Sequence, residues 1–103
     1  MEQKDISIQN IVRHLQSKLG VDNIIINDFW DADNFAIGLT DKDHKNLVYI
    51  STWKKRSNEF YLSLECPADN DNVNYIECGT FDNVNMDEAL EIVKQHLIKP
   101  MHA

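Results

Sequence analysis

Residues 35–66 read FAIGLTDKDHKNLVYISTWKKRSNEFYLSLEC, and the alternation within them decides the fold. Phe35, Ile37 and Leu39 alternate with Ala36, Gly38 and Thr40. Val48, Ile50 and Thr52 alternate with Leu47, Tyr49, Ser51 and Trp53. Phe60, Leu62, Leu64 and Cys66 alternate with Tyr61, Ser63 and Glu65. Successive side chains of a strand point to opposite faces, so a period of two puts one set on a core and the other on the outer face. Asp41–Asn46 and Lys54–Asn58 between these runs are rich in turn-forming residues. Connections this short join antiparallel neighbours, because parallel strands need a crossover of a dozen residues or more. Ile24–Trp30 and Tyr75–Phe81, set off by turn clusters at Asp31–Asn34 and Pro67–Asn74, extend the pattern to a meander of five predicted strands.

Outward from this block the period changes. From Asp5 to Leu19 the apolar residues Ile8, Ile11, Val12, Leu15 and Leu19 recur every three or four positions, which is the buried stripe of an amphipathic helix. Gly20 stands where a left-handed cap would end it. At the other end Asn85 is placed to cap a second helix, with Glu88 three positions on as in a capping box. Met86, Ala89, Leu90, Val93 and Leu97 form its stripe; Asp87, Glu88 and Glu91 lie early and Lys94 and Lys99 late, which suits the helix dipole, and Pro100 stops it. The fold expected is α+β, a single domain of order α-β-β-β-β-β-α with both helices on one face of a five-stranded antiparallel sheet.

Composition narrows the function classes. The chain has 103 residues, 17 acidic and 10 basic, for a net charge of −7. That balance disfavours nucleic acid and anionic membrane, whose phosphates need clustered cations. Lys54-Lys55-Arg56 is the one basic cluster, and it is expected to be solvated or to offset Asp31 and Asp33. No apolar run reaches membrane-spanning length, and the charged N-terminus lacks a signal-peptide core, so a reducing cytoplasm is the expected setting.

No cofactor or metal is expected. Gly20, Gly38 and Gly79 are far apart and form no phosphate loop, and no nucleophile elbow or paired-histidine zinc motif occurs. Asp69-Asn70-Asp71-Asn72 starts like a calcium loop but lacks its glycine and closing glutamate. His14, His44, His96 and His102 carry no recognisable catalytic spacing. Cys66 and Cys78 have no second pair to complete a zinc site; they read as two buried thiols on the helix-covered face, able to bond only if opposite one another.

Two features point to partner binding. Between Ser57 and Val93 stand Glu59, Glu65, Asp69, Asp71, Glu77, Asp82, Asp87, Glu88 and Glu91, with no Lys or Arg. A single-sign field of this extent attracts a basic partner and speeds its association. On the sheet face away from the helices, Tyr49, Trp53, Tyr61 and Tyr75 are expected beside Glu65 and Glu77, and amphipathic aromatics supply contact area at low entropy cost. Asp69 and Asp71 extend the acidic part of that candidate surface. The expectation is a non-enzymatic domain of the inhibitor or immunity type that neutralises a basic protein such as a nuclease toxin. Two other readings stay open: a small-ligand protein or minor enzyme with its site between helices and sheet, and an adaptor or secretion chaperone. Self-association through a sheet edge is a further partner expectation.

Overall fold

In the computed structural model the residues described are 3–27, 32–68 and 71–98, with side chains of the last segment from Tyr75 onward. Helix α1 (Ile6–Leu19) is followed by strands β1 (Ile25–Ile26), β2 (Ala36–Thr40), β3 (Leu47–Ser51), β4 (Phe60–Ala68) and β5 (Asp71–Val84), and then by helix α2 (Met86–Leu97). The strands lie in sequence order in one antiparallel sheet, so the α-β-β-β-β-β-α meander is the fold.

Both helix starts and the end of α1 are bounded as the sequence predicts, while Pro100, expected to stop α2, lies outside the described residues. The Asp5 carboxylate accepts from the Ser7 backbone N–H and caps α1, while Gly20, at φ 97°, donates its N–H to the Gln16 carbonyl at the other end. Asn85 and Glu88 form a reciprocal capping box on α2. The start of α1 is tied to the sheet: Asp5 N–H donates to the Asn34 carbonyl at 2.7 Å, and the Ser7 hydroxyl meets Thr52 Oγ1 at 2.8 Å. Ile8, Ile11, Val12 and Leu15 of α1 and Ala89, Val93 and Leu97 of α2 close over Ile37, Leu39, Val48, Ile50, Phe60 and Leu62 in one core.

Two strand limits differ from the sequence reading. Among the described residues of the Ile24–Trp30 segment, Ile25 and Ile26 form the ladder strand, and Asn27 N–H donates to the Gly38 carbonyl. Residues 28–31 of that segment and of the Asp31–Asn34 turn lie outside the described residues. Pro67–Asn74 is not a loop throughout: β4 continues to Ala68 and β5 begins at Asp71, pairing with it. Asn and Asp are depleted in strands, but ladder pairing overrides that preference here. The register of β4 on β5 shifts between Phe60 and Leu62, between Leu64 and Glu65, and between Pro67 and Ala68. Such irregularities blunt β5, the long outer edge of the sheet, against pairing with other chains.

Candidate functional site

The sheet face turned from the helices is built by the alternate positions of β3, β4 and β5. Tyr49 of β3 pairs with Ser63 of β4, and Ser51 of β3 with Tyr61 of β4. Tyr49 and Tyr61 are therefore diagonal neighbours, and their rings meet edge to face with centroids 6.2 Å apart. Beyond them Glu65 of β4 stands directly opposite Glu77 of β5, and Pro67 opposite Tyr75. Tyr49, Tyr61, Glu65, Tyr75 and Glu77 thus share one face, as the alternation implied. Glu77 is exposed and the other four are half-buried, while the small residues between them, Ala36, Thr40, Ser51 and Ser63, are buried.

Partners fix several of these groups. The Tyr75 hydroxyl donates to the His44 carbonyl at 2.6 Å, so this side chain reaches from β5 to the β2–β3 turn. Burial, and then the negative charge of Asp41, hold the Tyr75 phenol above its ordinary pKa. The Ser63 hydroxyl donates to Glu65 Oε2 at 3.1 Å. Glu65 and Glu77 form no ion pair with a Lys or Arg among the described residues. Like charges set directly opposite across two strands repel, and a cation arriving from outside would relieve that repulsion.

Trp53, just past the end of β3, is 59% exposed. Its ring packs edge to face on Phe35, centroids 5.3 Å apart, and the Lys54 ammonium lies 5.9 Å from its centre. Asp33, Phe35, Tyr49, Ser51 and Trp53 line a shallow depression of about 340 Å³ that joins Trp53 to the tyrosine face. Phe35 serves this end of the sheet, a contact that its place in the alternation did not reveal.

The acidic stretch is distributed over the β5 edge and α2, where Glu77, Asp82, Asp87, Glu88 and Glu91 are exposed. One of these acids is paired: Lys55 reaches Asp82 and also donates to Asn83 Oδ1 at 2.7 Å, and its bond holds the Asp82 carboxyl below the ordinary aspartate value. The basic turn thus offsets Asp82 through Lys55 while Lys54 and Arg56 are exposed; of the counterparts expected from sequence, Asp31 lies outside the described residues. Asp69 lies outside the described residues, and Asp71 is placed by its backbone alone, as the first residue of β5.

The cysteines correct the sequence reading. Cys66 and Cys78 are joined in a disulfide with Cα atoms 6.0 Å apart, and Cys78 is exposed. They are not opposite one another: Cys66 pairs with Ile76, and the step from Leu64↔Gly79 to Glu65↔Glu77 leaves Cys78 as the extra residue of a bulge. The bulge brings its sulfur across to Cys66. His96 of α2 lies alongside, its Nε2 2.9 Å from the Glu65 carbonyl oxygen. Neither link can be read from sequence, because a bulge leaves no residue signature and His96 is distant in the chain. Two cysteines flanking one hairpin were the only available hint.

Compared with known protein families, curated proteins and solved structures, the chain matches none. Among the described residues no helix is long and apolar enough to cross a membrane.

Proposed function

We propose that this chain is a non-enzymatic protein-binding domain that docks a basic protein on the outer face of its sheet. The observation that carries the reading is the pair Glu65 and Glu77, directly opposed across β4 and β5, without a Lys or Arg ion pair among the described residues, and set beside Tyr49, Tyr61 and Tyr75. Opposed carboxylates cost stability in the free chain and are relieved by Lys or Arg from a partner, while the tyrosines and Trp53 supply rigid contact area. The acids of the β5 edge and α2 add a field that draws a cationic protein in. The concrete form proposed is an inhibitor or immunity-type protein: a toxin surface shaped to hold phosphates is blocked by a preorganised array of carboxylates.

Alanine substitution against the captured partner tests this. Trp53→Ala and Tyr61→Ala should each weaken binding by about 1–3 kcal/mol if they are anchors, with circular dichroism unchanged. Unaltered affinity in both variants would overturn the choice of surface.

A further inference from the structure

Cys66 of β4, Cys78 in the bulge of β5 and His96 in the last turn of α2 bring three donor atoms within 4.8 Å of one another. All three are metal-ligand types, and two elements of the sheet and one helix hold them together. We propose that reduction of the Cys66–Cys78 disulfide converts this cluster into a binding site for a thiophilic divalent cation of the zinc class, with the two thiolates and the His96 imidazole as ligands.

The geometry is near that of such a site. Zinc–sulfur bonds of about 2.3 Å and a zinc–nitrogen bond of about 2.0–2.1 Å in a tetrahedron place the two sulfurs about 3.8 Å apart and each about 3.5 Å from the nitrogen. The three donors already lie within 4.8 Å of one another, so once the S–S bond is broken adjustments of about an ångström or two among the side chains reach these spacings. The bulge that carries Cys78 is the irregular part of the strand, where a side chain is re-aimed most easily. In the oxidised chain the Glu65 carbonyl holds the His96 ring through Nε2 at 2.9 Å, and in the neutral ring the nitrogen without the proton is the one able to take a cation. Cys78 is exposed, so reductant and cation can reach the cluster from solvent.

The conversion balances with an external dithiol as reductant. The S–S bond breaks, two electrons and two protons pass to Cys66 and Cys78, and the dithiol closes to its own disulfide. Binding of the cation then displaces the two thiol protons to solvent. A small-molecule disulfide reverses the sequence by thiol–disulfide exchange: it takes the two electrons and leaves as its dithiol, the Cys66–Cys78 bond re-forms and the cation is released. One cluster thus exchanges a covalent cross-link for a metal cross-link at the same place in the fold.

The test uses the full chain, reduced with a phosphine and kept anaerobic, titrated with Co²⁺ and then with Zn²⁺. Thiolate-to-cobalt charge-transfer absorption should saturate at one metal per chain, disappear as Zn²⁺ displaces Co²⁺, and be absent from the oxidised chain. His96→Ala, and His96→Asn as a second variant, should weaken Co²⁺ binding at least about tenfold while the oxidised variants remain folded. Absence of the absorption from the reduced chain would overturn the proposal. So would one metal per two chains, or Co²⁺ affinity unchanged in both His96 variants.

Discussion

Breaking the Cys66–Cys78 bond should cost this protein about 3 kcal/mol of stability. The magnitude follows from the 12-residue separation of the two cysteines, since closing a loop of that size in the unfolded chain removes entropy worth about 3 kcal/mol. The cross-link lies within the β4–β5 hairpin, between the bulge at Cys78 and the end where Ala68 meets Asp71. Urea titrations with and without a phosphine reductant, both with a chelator present to keep metal away, read the difference directly. Circular dichroism reports the whole fold. The reduced chain should also show the larger dependence on urea, because an unlinked denatured state exposes more surface. On heating, the same loss should lower Tm by more than about 10 °C for a domain of this size. Reduced and oxidised stabilities agreeing to within about 0.5 kcal/mol would refute the loop-closure reasoning. The paired variant Cys66→Ala with Cys78→Ala should match the reduced wild type.

Tyr75→Phe removes the hydrogen bond to His44 and should cost about 0.5–1.5 kcal/mol in the same urea titration. Because the Tyr75 phenol titrates higher folded than unfolded, its contribution is fully present below its unfolded pKa and is lost as pH rises through the folded one. The variant should therefore show a shallower alkaline decline, and an unchanged alkaline profile would contradict the assignment. At Asp5 the sign reverses. The Ser7 hydroxyl and then the Ser7 backbone N–H hold its carboxyl below the ordinary value of 3.8, so the stabilisation is present above that value and is lost as pH falls through the folded pKa. Asp5→Asn keeps a capping oxygen without the titration, and its stability should fall less steeply than wild type when acid titrations are compared. Glu65→Gln and Glu77→Gln, combined in a double-mutant cycle, should show a coupling of about 0.2–1 kcal/mol in the direction of relieved repulsion, shrinking as salt is raised. A coupling of zero at low salt would remove the observation on which the proposed function rests.

The helices, the strand order and the outer-face tyrosines could be read from periodicity, because Ile8 to Leu15 and Phe60 to Leu64 each repeat with the spacing of a single buried face. Burial enforces that spacing wherever a core lies on one side. Strand pairing can override residue type: Asn72 and Asn74 look like turn residues yet lie in β5. The bulge at Cys78 was invisible for a related reason, since it is a property of the pairing between two strands. Once it is placed, the cystine and its proximity to His96 follow. The contact of Lys55 with Asp82 was not legible because Asp82 lies in the part of β5 beyond the Tyr75–Phe81 run, which the strand extends by three residues to Val84.

The most direct test of the docking account is a tagged pull-down from native cell lysate at low and moderate salt, comparing the wild-type chain with the double variant Glu65→Lys and Glu77→Lys. The account predicts one basic protein retained by wild type near stoichiometry, weakened by salt and lost from the double variant while its circular dichroism is unchanged. Retention of that protein equally by both chains, or recovery of no basic protein by wild type, would contradict it.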